Sequence, residues 1–161
     1  MPDSNMRRIK TAIKTILGTI AGLNATTIHP RQRNFGGGNE ASFRALFAVA
    51  ATSKINGWEI EHESGTSTWI ATNKVWDRRD VVVLRGYYGF DDAGDSEGVF
   101  SLLVDQVIEA LNRDQSLGGN VGVRTHGTPQ IRQYGVAALG GHLCHYAELA
   151  LTVAWANEVE P

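Results

Sequence analysis

The chain predicts an α+β fold: one small domain over residues 1–161, with a mostly antiparallel or mixed β-sheet packed by an N-terminal and a central α-helix as an α/β sandwich. Three observations carry this. Residues 143–155 alternate strictly, with Ala147, Leu149, Leu151, Val153 and Trp155 on one side and Tyr146, Glu148, Ala150, Thr152 and Ala154 on the other. Val81-Val82-Val83-Leu84 is a continuous apolar run, as in a strand covered on both faces. Two segments, 5–23 and 96–111, repeat apolar residues at helical spacing. Hydrophobic and charged fractions of 42% and 20% are ordinary for a globular chain, and this length buries a core without staples.

In the first helix, over 5–23, Ile9, Ile13, Ile16, Leu17, Ile20 and Leu23 form the stripe, with Arg7, Arg8, Lys10 and Lys14 off it. Asp3 or Ser4 caps its start, and Gly22 and Asn24 suit its end. From Thr26 to Asn39, Pro30 and Gly36-Gly37-Gly38 break any regular pattern and predict a long loop carrying Arg31, Arg33 and Phe35. The apolar run of Ser42–Thr52 predicts a strand, although its alanines keep a helix open. Asn56-Gly57 signals a tight turn, Trp58–Glu63 a short strand, and Ser64–Thr68 a polar connection. Lys74–Tyr88 is the clearest strand. The acidic loop Gly89–Asp95 follows, then a helix capped by Ser96, whose stripe is Val99, Phe100, Leu103, Val104, Val107, Ile108 and Leu111. Gly118-Gly119 ends that unit. A strand around Gln130–Val136 precedes the closing strand.

The net charge of −2 gives no reason to expect a dedicated nucleic-acid binder, but its distribution is uneven. Residues 1–40 hold six Lys/Arg against Asp3 and Glu40, and residues 81–120 hold two against seven acids. Complementary regions of this kind can orient stacked subunits. Cys144 is the only cysteine, so no internal disulfide forms and a reducing compartment is expected. Lys10 and Lys14 interrupt the N-terminal segment, so no secretory signal is expected, and no apolar run reaches a membrane span.

Catalytic signals are sparse. Gly94-Asp95-Ser96-Glu97-Gly98 matches the G-x-S-x-G pattern of a nucleophile elbow. That elbow needs its serine directly at a strand end, whereas Gly89–Asp95 intervenes and Asp91, Asp92, Asp95 and Glu97 oppose developing negative charge. Ser96 therefore reads as a helix N-cap. His142, Cys144 and His145 diverge on a strand, with His142 and Cys144 on one face and His145 on the other. A metal would have to recruit His62 or His126 from afar, so no metal or cofactor is expected. Gly36-Gly37-Gly38 lacks the Lys-Ser/Thr of a P-loop. Arg78-Arg79 reads as a surface patch beside Asp80.

The order of elements, with Arg85-Gly86-Tyr87-Tyr88 closing the central strand and His145-Tyr146-Ala147-Glu148 in the last one, resembles the tail-terminator (tail-completion, neck) proteins of long-tailed bacteriophages over residues 5–155. The resemblance implies a virion protein of the tail and neck, assembled in the host cytoplasm as a homo-oligomeric, hexameric ring. Such a ring caps the tail tube and joins it to the head-tail connector. Genomic DNA passes through without sequence-specific binding, and no membrane or catalytic residue is involved. The expected contact residues are Arg31, Arg33, Phe35, Arg78, Arg79, Asp91, Asp92 and Asp95. A head-closure or connector protein of the same neck is the neighbouring reading, and a small cytosolic hydrolase using Ser96 is the alternative of a different class.

Overall fold

The computed structural model describes residues 5–33, 40–70 and 75–158. The α+β expectation holds: a six-stranded mixed sheet is packed by helices. The strands are β1 (Ile28–His29), β2 (Asn56–Ile70), β3 (Val75–Gly89), β4 (Val123–Thr125), β5 (Gln130–Leu139) and β6 (His142–Glu158). Their order is β1-β2-β3-β6. Beyond β6, β5 pairs with its first half and β4 with its second. Only the two-residue β1 is parallel to its neighbour.

Helices α1 (Asn5–Gly18) and α3 (Ser96–Arg113) lie on one face of this sheet. Ile9, Ile13 and Leu17 of α1, and Phe100, Val104, Val107 and Leu111 of α3, are buried together with Trp58, Ile60, Val82, Leu84 and the alternating Ala147, Leu149, Leu151 and Val153. Both stripes and the period-two face are thus the halves of one core. Each fully buried leucine-sized side chain contributes roughly 2 kcal/mol of transfer free energy. Among the described residues, no helix is long and apolar enough to cross a membrane.

Several local expectations are corrected. Helix α1 stops at Gly18, not residue 23; tight turns from Ile16, Leu17 and Ile20 carbonyls to Thr19, Ile20 and Leu23 amides replace it. The expected strand in Ser42–Thr52 is instead helix α2 (Glu40–Phe47). Phe43 and Phe47 are four apart on one helical side, and they pack on the opposite face of the sheet with Ile55, Tyr87 and Cys144 in a second, smaller core. A strand would also have put Phe43 and Phe47 on one side, so the pattern alone did not discriminate.

Asn56-Gly57 is not a turn but the start of β2. A Cβ at Gly57 would lie 2.7 Å from Phe47 Cδ1, so glycine serves close approach of α2 to the strand. The reversal falls earlier, where Val49 N–H donates to Lys54 O and Ser53 has φ 56°. Strand β2 also runs on through Ser64–Thr68, the expected polar connection, to Ile70. Its partner β3 fixes this, pairing from Asn56↔Tyr88 to Ile70↔Val75 with one bulge between His62 and Ser64.

Candidate functional site

The register of β2, β3 and β6 builds an ionic row on the sheet face opposite α1 and α3. Glu59 is directly across from Arg85, and Arg85 from Glu148. Arg85 Nε donates to Glu148 Oε2 at 3.0 Å, and its Nη1 also bonds Glu61. The buried Glu59 carboxylate accepts from Tyr87 OH at 2.7 Å and from the Arg33 backbone N–H at 2.9 Å. Burial works against the Arg85 charge, but Glu61 and Glu148 more than offset it and raise its pKa. Burial and the Glu59 charge raise the Tyr87 phenol, and burial with the Glu148 hydrogen bond pushes Tyr146 up to about 12. Arg132 of β5 reaches Glu63 of β2 at 2.5 Å. With the Arg132–Glu63 pair, the row ties β2, β3, β5 and β6 together.

A second polar knot sits on the helical face. Asp80 is fully buried, within 2.7 Å of His62 Nε2, and it accepts from Arg78 Nε at 2.9 Å and Trp155 Nε1 at 2.6 Å. The Arg78 guanidinium also lies over the Trp155 ring, 5.2 Å from its centroid. Burial pushes the Asp80 carboxyl up, but these donors outweigh it and hold it below its ordinary value.

The third constellation joins two separate sequence signals. Ser96 does not cap α3: the N-cap is Asp95, at φ 49° and ψ 44°, with no side-chain cap bond. Ser96 Oγ is buried, accepts from Asp91 N–H at 2.8 Å, and lies 2.8 Å from His145 Nε2. The His145 ring stacks near Phe90 (5.1 Å, 27°) and Phe100 (5.9 Å, 25°). A cleft of about 340 Å³ reaches Ser96 from the side of Arg44, Lys54, Asp91 and His142. A serine bonded to an imidazole is the nucleophile–base half of a triad. Among the described residues no carboxylate bonds His145, and the two acceptor–donor partners of Ser96 lock the acidic loop to β6.

His142 and Cys144 lie on the face opposite His145, as period two dictates, and both meet α2: His142 pairs with Glu40 at 2.9 Å, and the Cys144 thiol is buried beside Phe43 and Phe47, which pushes it up to about 11. No cluster of three or more His, Cys, Asp or Glu suited to a metal is found among the described residues.

The expected contact residues fall into separate places. Arg31 is exposed, and Arg33 is half-buried beside Glu59; Phe35 lies outside the described residues. Arg79 is exposed with Asp77 3.9 Å away, while Arg78 is engaged by Asp80 and so is partly structural. Asp91, Asp92 and Asp95 are exposed in and around a 3-10 turn whose start Asp91 caps, its carboxylate accepting from Gly94 N–H. Arg78-Arg79 and the acidic loop are separated by most of β3, roughly 30 Å at about 3.3 Å per residue, so the basic patch and the acidic loop mark opposite ends of the strand. No protein-family model matches the chain, and no curated protein matches it in sequence.

Proposed function

We infer that the chain is a structural protein of the neck of a long-tailed phage virion, forming a homo-oligomeric ring of six copies that caps the tail tube and joins it to the head connector. The observation that carries this reading is the overhang of the sheet. From Glu63 to Ile70 β2 is exposed, and it ends on Trp69 and Ile70, both large, apolar and accessible. A sheet extended beyond its own core in this way offers surface to neighbours. Charge supports it at one end: Asp91, Asp92 and Asp95 are exposed together in the acidic loop and offer a negative surface to a complementary neighbour. DNA passing through such a ring needs no base-reading groups. Analytical ultracentrifugation tests the reading; a discrete assembly of fixed copy number is expected, and a monomer at every concentration contradicts it.

One observation favours a second reading. The 2.8 Å contact between Ser96 Oγ and His145 Nε2 gives the G-x-S-x-G segment the base that a small serine hydrolase needs. Fluorophosphonate labelling at Ser96, lost in His145→Ala, is the result this reading expects. An unlabelled wild-type protein leaves the pair as a structural latch.

A further inference from the structure

Basic residues that lie apart in the sequence gather along one edge of the sheet. Helix α1 packs over β1 and β2, and α3 over β3 and β6. Ile9, Ile13 and Leu17 of α1 face the core. One flank of α1, with Ala12, Thr15 and Thr19, lines a groove whose other wall includes Ala110 and Arg113 of α3. Lys10 and Lys14 follow Ile9 and Ile13 by one residue, about 100° round the helix, and so lie on the other flank, on the side of β1. Arg31 and Arg33 follow the end of β1 on that same edge, where the Arg33 backbone N–H is held by Glu59. Burial lowers the His29 pKa, the Leu46 carbonyl opposes this, and the Arg33 and Lys14 charges lower it again, so both cations act on one imidazole. Glu59 also acts on that ring, but its carboxylate is buried and taken up by Tyr87 OH and the Arg33 N–H. Arg31 is exposed, and Lys10, Lys14 and Arg33 are half-buried; among the described residues none of the four is in an ion pair.

We propose that this edge binds the phosphate backbone of a nucleic-acid duplex through Lys10, Lys14, Arg31 and Arg33, without reading bases. Binding of this kind does not depend on the ring reading, because a single chain presents the whole edge. Spacing supports it: Lys10 and Lys14 are about 6 Å apart along the helix axis, close to two phosphate steps of about 3.4 Å on one strand. The absence of apolar anchors supports it too. The large apolar side chains exposed among the described residues begin at Trp69, and none lies between residues 5 and 33. A protein partner or a lipid surface is held largely through such anchors, whereas phosphates need only cations. With a net charge of −2 over the whole chain, attraction for a polyanion has to be local to this edge.

Fluorescence anisotropy of labelled DNA and RNA duplexes of about 30 base pairs, titrated with the wild-type protein at several salt concentrations, tests this. Four phosphate contacts should give a slope of log affinity against log salt of about −3 to −4. Lys10→Gln with Lys14→Gln and Arg31→Gln, checked as native by circular dichroism, should weaken binding by at least about tenfold and shrink the slope by about 3. Arg31→Gln alone, exposed and outside α1, should shrink it by about 1. Binding of either duplex with these slopes supports the assignment, and the tighter one names the source. No binding of either duplex at about 50 mM salt, or a wild-type slope in both variants, overturns it. A labelled polyglutamate peptide bound as tightly as the duplexes would make an acidic protein the partner and overturn the nucleic-acid assignment.

Discussion

Replacing Asp80 by Asn should destabilise the fold by about 2–4 kcal/mol at neutral pH. The magnitude follows from its surroundings. The carboxylate is fully buried and takes charge-assisted bonds from Arg78, together with the Trp155 indole N–H and His62. An amide keeps one acceptor oxygen for Trp155, but its NH2 then faces the guanidinium as donor against donor. The loss falls short of the roughly 5 kcal/mol upper range for breaking a buried pair, because the Arg78 and His62 side chains are 37% and 31% exposed and can turn to water. The pH dependence has a definite sign. The folded pKa of Asp80 lies below the unfolded one, so ionised Asp80 contributes its stability above the unfolded value, and that contribution drains away as pH falls through the folded value. The stability gap between wild type and Asp80→Asn should therefore narrow as pH falls through the ordinary carboxylate range and on through the lower folded value. Urea unfolding followed by tryptophan fluorescence measures it. A variant within about 0.5 kcal/mol of wild type at pH 7, or a gap that widens on acidification, would show that ionised Asp80 does not stabilise the fold.

Gly86→Ala puts a Cβ 2.6 Å from Cζ2 of the fully buried Trp58 ring, so it should lose about 1–3 kcal/mol in the same unfolding assay. Ser96→Ala removes the acceptor of Asp91 N–H and the partner of His145, with an expected loss of about 1–3 kcal/mol and no change in assembly; a normal midpoint with lost hydrolysis of an activated ester would favour the enzyme reading instead. Asp91→Lys with Asp92→Lys removes the Asp91–Gly94 cap of a surface turn, so circular dichroism should stay native with a slightly lower midpoint, while on the proposed neck role joining of heads to tails weakens. Joining at wild-type yield would remove the acidic loop from the interface.

Elements that bury one clean face were legible from residue order. The α3 stripe and the alternation of β6 from Ala147 to Trp155 each turn one side to the main core, so spacing alone identifies them. The far half of β2 was not legible, because exposed Ser and Thr carry no burial period; the strand exists there through its pairing with β3. The α2 segment failed for a different reason, since Phe43 and Phe47 share a side in either conformation. Site geometry depended on register. Glu59, Arg85 and Glu148 are far apart in sequence and become one row only when three strands are aligned. Ser96 and His145 stand far apart in the sequence, and Tyr88↔His145 pairing is what carries His145 back toward the loop that follows β3. A buried histidine flanked by aromatic positions on a strand, with a serine opening the adjacent helix, is the signal that could have joined them.

Images of single particles of the purified wild-type protein decide whether the chain assembles as proposed. Closed rings with an open centre are expected, built from six copies of the 17.5 kDa chain, without added cofactor or metal. Compact particles of one or two chains at every concentration, alone or mixed with purified tail tubes, would contradict it.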